Sequence, residues 1–77
     1  MKRLVLYSRP GCHLCEELLE ELAPLLPPDA VVETVDISGD PALERRYGLR
    51  IPVLESAGVE LSSYPLDRAR VERFLAE

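Results

Sequence analysis

Apolar and polar positions alternate along the chain in blocks that predict strands and helices in turn. The first block, Lys2 to Ser8, is apolar enough to form a central strand buried on both faces. The next apolar residues recur at helical spacing and predict the inner face of a first helix starting near Cys12. These inner positions are Leu14, Cys15, Leu18, Leu19 and Leu22, and the solvent side carries Glu16, Glu17, Glu20 and Glu21. Pro24 predicts a kink or an end to this helix, because its ring clashes with the carbonyl group four residues earlier.

The middle of the chain predicts a second strand and a second helix. Residues 30–36 are rich in β-branched side chains, which favour a strand. Asp40 followed by Pro41 is a typical helix start, with the aspartate as N-cap and the proline at the first helical position. Gly48 predicts the end of this helix, as a C-cap in the left-handed conformation.

The last third of the chain predicts a hairpin and a final helix. Residues 52–55 and 59–61 are short apolar runs on either side of the turn sequence Ser56-Ala57-Gly58. Asp67 is placed to cap a helix whose inner positions are Val71, Phe74 and Leu75. The order is therefore β-α-β-α-β-β-α. A right-handed crossover makes the first two strands parallel, and the hairpin adds an antiparallel edge. We expect an α/β fold with a mixed four-stranded sheet and helices on both faces.

Composition limits the possible functions. A chain of 77 residues predicts one domain, residues 1–77, which buries only about 60% of its unfolded surface. The formal net charge of −5 argues against a nucleic-acid partner. The sequence does not open like a signal peptide, and its apolar runs fall short of the ~20 residues that span a bilayer. We expect a cytoplasmic protein without a membrane partner.

The candidate chemistry lies in Cys12 and Cys15, the only cysteines of the chain. They fall between the first strand and the first helix, and a C-x-x-C pair beside a βαβ pattern indicates redox chemistry. Residues three apart in a first helical turn are neighbours, so the two thiols can close a small ring. Unpaired N–H groups and the helix dipole would stabilise a thiolate at Cys12. Cys15 lies deeper and would react second.

Several segments together resemble glutaredoxins and their small thioredoxin-fold relatives. The segment from Leu6 to Cys15 looks like the glutaredoxin opening, in which a strand leads through a basic residue and a turn into C-x-x-C. Residues 35–37 and 40–41 look like the second strand and the following helix start of that family. Residues 47–54 look like the approach to its cis-proline loop. The resemblance covers most of the chain and implies a thioredoxin-like fold.

The resemblance also implies an activity and roles for individual residues. The protein would be a thiol–disulfide oxidoreductase in which Cys12 attacks the substrate and Cys15 resolves the mixed disulfide. Pro52 would be cis and face the cysteines, and Ile51 would offer its backbone groups to an extended substrate or to glutathione. Arg9 matches the basic residue that lies near the thiolate and the glutathione carboxylate. No bound organic cofactor or metal is implied; glutathione or a flavin-dependent reductase would restore the dithiol.

Three dipeptides depart from the glutaredoxin pattern. His13-Leu14 stands in place of Pro-Tyr, Arg50-Ile51 in place of Thr-Val, and Ser62-Ser63 in place of Gly-Gly. The last two changes favour an alternative, a thioredoxin-like carrier that does not use glutathione. The first suggests tuning: protonated His13 would lower the pKa of the Cys12 thiol and make the oxidised form a stronger oxidant.

Other interpretations of the same residues stay open. The cysteines could be ordinary core residues, or they could carry a metal or an iron–sulfur cluster. Because a structural zinc needs four ligands, such a site would need a second chain or glutathione. The fold could also serve as a non-catalytic peptide-binding module, which would keep its activity in a Cys12→Ser variant. Pro52 could be a trans proline on an edge strand, and Arg9 could be a solvated surface charge.

Overall fold

The computed structural model describes residues 2–77 and has the predicted order of elements. Its strands are β1 (Lys2–Ser8), β2 (Ala30–Asp36), β3 (Val53–Ser56) and β4 (Val59–Ser62). Its α-helices are α1 (His13–Leu22), α2 (Pro41–Tyr47) and α3 (Arg68–Ala76). Helix α1 gives way to a 3-10 turn, Ala23–Leu25, at the position where Pro24 predicted its end.

The four strands form one mixed sheet in the order β2-β1-β3-β4. Strands β1 and β2 are parallel along their whole length, from the pair Lys2 and Ala30 to the pair Ser8 and Asp36. Strand β3 runs antiparallel to β1, with Tyr7 opposite Val53, and β4 runs antiparallel to β3. The predicted parallel crossover and antiparallel edge are therefore confirmed.

Helices cover both faces of the sheet, as predicted. One face packs against α1 and α3 through Leu4, Leu6, Leu18, Leu22, Leu54, Leu61 and Val71. Phe74 and Leu75 are half-buried against this cluster. The opposite face packs against α2 through Ile37, Tyr47 and Val53, with Tyr7, Leu43 and Ile51 at its margin.

The prediction that Leu14 belongs to the inner face of α1 is wrong. Its side chain is 43% exposed, whereas Cys15, Leu18 and Leu22 are buried. Leu14 shares the inner face by spacing, but it lies in the first turn of the helix, outside the buried cluster. An apolar side chain is therefore left on the surface two residues from Cys12.

The prediction that Gly48 adopts a left-handed conformation is also wrong. Its φ is −51°, and its N–H group donates to the carbonyl of Glu44 at 2.8 Å, as in a helix. The N–H groups of Arg50 and Ile51 then both donate to the carbonyl of Tyr47. A Cβ atom at Gly48 would collide with the carbonyl oxygen of Glu44, so glycine is required here by close approach rather than by φ.

The predicted N-caps of α2 and α3 and the predicted hairpin are confirmed. Asp40 accepts hydrogen bonds from the N–H groups that open α2, and Asp67 accepts one from Arg70 N–H at 3.1 Å. The hairpin turns at Ala57 and Gly58, whose φ values are 52° and 80°. Two central residues with positive φ make the turn type I′, which suits the twist of paired strands.

Candidate active site

The two cysteines lie where β1 passes into α1. Cys12 is the N-cap of α1, with extended backbone, and Cys15 lies on the buried face of its first turn. The pair forms a disulfide with a Cα–Cα distance of 5.2 Å. Cys12 is half-buried and Cys15 is only 3% exposed, so an incoming molecule meets Cys12 first. The predicted difference in depth is confirmed.

A tight turn fixes Cys12 at the end of β1. The N–H group of Cys12 donates to the carbonyl of Arg9 at 3.2 Å, which closes the turn through Pro10 and Gly11. Gly11 has φ of 77°, a conformation that a side chain would disfavour. The N–H group of Cys15 donates to Cys12 Sγ at 3.2 Å, and that of Glu16 donates to the Cys12 carbonyl at 3.1 Å. The positive end of α1 therefore points at the outer sulfur.

His13 lies beside the cysteines and is strongly exposed. Its side chain is 83% accessible, and its Nδ1 atom lies 3.9 Å from Glu16 Oε2. The hydrogen bond that reaches Cys12 Sγ comes from the backbone of Cys15. Any influence of His13 on the thiol therefore acts through space in a solvated environment, beside an opposing carboxylate.

The Arg9 side chain binds groups of the protein itself. Its Nη2 atom donates to Glu44 Oε1 at 2.7 Å and to the carbonyl of Gly48 at 3.2 Å. Its Nε atom is buried and makes no hydrogen bond within residues 2–77. The guanidinium group thus joins the turn that precedes Cys12 to the end of α2, which the sequence did not predict.

The proline loop lies at the same end of the sheet as the cysteines. Strands β1 and β3 are antiparallel and Tyr7 pairs with Val53. The residue after Tyr7, which is Ser8, therefore lies beside the residue before Val53, which is Pro52. The Ile51–Pro52 peptide bond is cis, and Pro52 is buried. The N–H group of Ile51 donates to the Tyr47 carbonyl at 3.0 Å, so it is engaged within the protein. The expectation that Ile51 offers its backbone groups to a substrate stays a prediction.

A polar groove of about 390 Å³ lies where β4 leads into α3. Glu60, Asp67 and Arg70 contribute charges to its lining. Ser62 Oγ accepts a hydrogen bond from Asp67 N–H at 2.8 Å and donates to the Ser63 carbonyl at 3.0 Å, so this hydroxyl is already in use. The segment between β4 and α3 also contains a cis peptide bond, Tyr64–Pro65, which the sequence did not predict.

A buried polar pair lies on the opposite face of the sheet, under α2. Tyr47 is 2% exposed and donates its hydroxyl to Glu55 Oε2 at 2.6 Å. The ring of Tyr7 stacks on that of Tyr47, with centroids 4.2 Å apart. Burial, then the Glu55 carboxylate, raises the pKa of Tyr47 to about 12. This pair cannot be predicted from the sequence, because its members face each other only after α2 has packed.

The described part of the chain offers few other candidate groups. Within residues 2–77, no three side chains of the His, Cys, Asp or Glu type are grouped so as to hold a metal ion. Nor does that part of the chain contain a helix with the length and apolar character needed to cross a membrane.

The fold and the site together define the class of protein. A mixed sheet of order β2-β1-β3-β4, a C-x-x-C pair at the start of the first helix and a proline loop beside it are the features of a thioredoxin-like fold. Two solved structures of the target protein XcR50 from X. campestris share this fold, each with a TM-score of 0.76. The X-ray structure is 43% identical and covers 95% of each chain. The solution structure is 42% identical and covers 99% of this chain and 94% of that one.

The chain belongs to the family described as glutaredoxin-like domain (DUF836), which matches residues 3–76. It is 34% identical over 77 residues to the uncharacterized protein Rv0508 of Mycobacterium tuberculosis. The uncharacterized protein Mb0520 of Mycobacterium bovis matches equally well. Each match covers 92% of this chain and 79% of the relative. The protein is thus a small, divergent glutaredoxin-like protein, and its cysteine pair fits a thiol redox role.

Proposed function

We propose that the protein is a dithiol thiol–disulfide oxidoreductase. The arrangement of Cys12 and Cys15 is the observation that supports this function most directly. The accessible sulfur sits at the positive end of α1 and accepts a backbone hydrogen bond, while the buried sulfur lies within bonding distance of it. One thiol is therefore placed to attack an external disulfide, and the other is placed to release the product.

The proposed reaction conserves electrons and protons. The Cys12 thiolate attacks one sulfur of a substrate disulfide, so that a mixed disulfide forms and one substrate thiolate leaves and takes up a proton. Cys15, after losing its proton to solvent, attacks Cys12 Sγ, and the second substrate thiolate leaves. The substrate gains two electrons and two protons, and the protein ends with a Cys12–Cys15 disulfide. An external reductant then restores the dithiol.

The proposed substrates are disulfide-containing proteins or glutathione mixed disulfides, in the cytoplasm. The Ile51 carbonyl is the backbone group that an extended substrate would meet beside Pro52. Glutathione or a flavin-dependent reductase is the proposed source of electrons. No resident cofactor takes part in these steps.

A second candidate is a thioredoxin-like carrier that does not use glutathione. It is favoured by the partners of two groups that the resemblance assigns to glutathione. The Arg9 guanidinium is bound to Glu44 and Gly48, and the Ile51 N–H group is bound to the Tyr47 carbonyl. With these groups occupied, glutathione would have fewer ligands than in a glutaredoxin of the usual pattern.

The two candidates are separated by equilibration in glutathione buffers of graded potential, followed by mass spectrometry. Reversible loss of two hydrogens with a glutathione adduct on Cys12 supports a dithiol glutaredoxin. An internal disulfide in the natural protein, with little glutathione adduct on Cys12 in a Cys15→Ser variant, supports the glutathione-independent carrier. Cysteines that stay unreactive at every potential would contradict both candidates.

A matched pair of variants tests the assigned order of attack. Cys15→Ser should accumulate a mixed disulfide with a peptide disulfide substrate, because the resolving thiol is missing. Cys12→Ser should accumulate none, because Cys15 is buried. Equal trapping by both variants would contradict the assignment of Cys12 as the attacking thiol.

A further inference from the structure

Arg9 connects two parts of the site that are far apart in sequence. We propose that Arg9 is a positioning residue, which holds the cysteine turn against the loop that leads to Pro52. This role differs from binding a substrate carboxylate or stabilising the thiolate by charge. The inference rests on the proposed function, because the two parts matter together only if a substrate disulfide must meet both.

The backbone of Arg9 holds the cysteine side of the site. Its carbonyl accepts the hydrogen bond from Cys12 N–H that closes the turn. Through the parallel register of β1 and β2, Ser8 is fixed opposite Asp36, so the turn starts from a strand that cannot shift. A movement of Arg9 would therefore move Cys12 with it.

The side chain of Arg9 binds the end of α2, from which the loop to Pro52 begins. A single nitrogen, Nη2, donates to the Glu44 carboxylate and to the Gly48 carbonyl, at the point where α2 ends. Gly48 is the C-cap of α2 and Glu44 lies one turn before it, with their backbones joined by the Gly48 N–H bond to the Glu44 carbonyl.

The loop beyond Gly48 passes this restraint on to Pro52. The N–H groups of Arg50 and Ile51 converge on the Tyr47 carbonyl at 2.7 and 3.0 Å, so only a tight turn separates Gly48 from the proline. The Ile51 carbonyl, the group proposed to meet a substrate, follows directly after this turn. Arg9 thus sets the distance between the attacking sulfur and the surface on which an extended substrate would lie.

Because Arg9 and Glu44 carry opposite charges, removing each of them in turn separates an effect of charge from an effect of position. If Arg9 acted on the thiolate or on an anionic substrate by charge, removing Glu44 would help and removing Arg9 would harm. If Arg9 acts by position, both removals break the same link and act in the same direction. The variants Arg9→Gln and Glu44→Ala separate these roles, and Glu44→Ala leaves Arg9 itself untouched.

The assay compares two substrates, with dithiothreitol as the recycling reductant. One is a peptide dimer joined by a single disulfide, which is long enough to lie along the Ile51 loop. The other is hydroxyethyl disulfide, which is too small to do so. We expect each variant to lower kcat/KM for the peptide by about tenfold, mainly through KM, and to change the rate with hydroxyethyl disulfide less than twofold. The double variant should lose no more than the worse single variant.

Arg68→Gln is the control variant, because it removes the same charge as Arg9→Gln. It breaks an exposed arginine–glutamate pair on α3 and should leave the rates with both substrates unchanged. The pH profile of Cys12 alkylation should match that of the natural protein in both variants. A Glu44→Ala variant that keeps or gains peptide activity would overturn the proposed role of Arg9, as would an equal loss with both substrates. A natural protein that reduces neither substrate would overturn the proposed function itself, and the role of Arg9 with it.

Discussion

Cys12 and Cys15 differ in exposure because one precedes α1 and the other lies on its inner face. The two thiols are chemically alike, so the difference in role that we propose for them comes from their positions at the helix start. Cys12 Sγ accepts a hydrogen bond from the backbone N–H of Cys15. In our proposal the same donor stabilises the attacking thiolate. Cys15 is buried, so an external reagent has little access to its sulfur atom.

At the scale of single residues, His13→Ala tests whether the imidazole tunes Cys12. We expect the substitution to raise the pKa of the Cys12 thiol and to lower the reduction potential. The side chain is 83% exposed, so solvent screening limits its contribution to about 1 kcal/mol, or about 20 mV for two electrons. Alkylation rates across pH and equilibration with glutathione buffers measure both quantities. Glu16→Gln, which removes an anion from the same turn, should act in the opposite direction; a shift of the same sign in both variants would contradict electrostatic tuning.

Tyr47→Phe tests the buried pair under α2. The substitution leaves the Glu55 carboxylate without its hydroxyl donor and should lower the free energy of unfolding by about 1–3 kcal/mol. The pKa of Tyr47 is raised in the folded protein to about 12 from an ordinary value of 10.0. Its contribution is therefore complete below pH 10 and is lost as the pH rises from 10 to 12.

Urea unfolding at several pH values measures this contribution. The natural protein should lose more stability above pH 10 than the Tyr47→Phe variant does. Tyr7→Phe, on the ring stacked against Tyr47, should change the pH dependence far less than Tyr47→Phe, because Tyr7 is only a minor cause of the raised pKa of Tyr47. Parallel pH curves for the natural protein and Tyr47→Phe would show that the pair does not couple to folding.

At the scale of elements, the hairpin between β3 and β4 contains one residue that does not suit its conformation. Ala57 has φ of 52°, where a side chain other than Asn, Asp or Gly is disfavoured. Ala57→Asn should raise the free energy of unfolding by about 0.5–1 kcal/mol, since Asn-Gly is the preferred type I′ sequence. Chemical denaturation measures the change. Gly58→Ala should act oppositely, and a stabilising effect there would contradict the assigned turn.

Helix α2 shows how a correct element can be predicted for a partly wrong reason. Asp40 and Pro41 predicted its start, and Gly48 predicted its end. The physical requirement at Gly48 is space for the Glu44 carbonyl oxygen, which a Cβ atom there would strike. Local propensity identifies a glycine at a helix end, but only packing reveals what approaches it.

At the scale of the whole molecule, the antiparallel register of β1 and β3 assembles the site. Tyr7 pairs with Val53, so the end of β1 meets the start of β3, and the cysteine turn lies beside the proline loop. The crossover through α1 places the disulfide at this edge, while α2 brings Arg9 its partners. No element carries the site alone.

The four-residue ring closed by the disulfide predicts how the fold responds to reduction. Such a short ring restricts the unfolded chain little, so reduction should lower the free energy of unfolding by about 2 kcal/mol. For a domain of this size, that corresponds to about 8–16 °C in Tm. Thermal melts followed by far-UV circular dichroism, with and without dithiothreitol, measure the difference. Loss of the native spectrum at 25 °C on reduction would show that the disulfide is structural.

The sequence by itself determined the order of elements, the parallel and antiparallel strand directions, the N-caps of α2 and α3, the hairpin and the position of the cysteine pair. These features depend on local periodicity, on turn chemistry and on the fixed handedness of a crossover, all of which can be read from neighbouring residues. The tertiary structure alone decided the partners of Arg9, the occupied N–H group of Ile51 and the buried Tyr47–Glu55 pair. It also left Leu14 exposed, although its spacing matched the core. Each of these depends on which surfaces meet across the fold, and hydrophobic periodicity carries no information about polar contacts between residues distant in sequence.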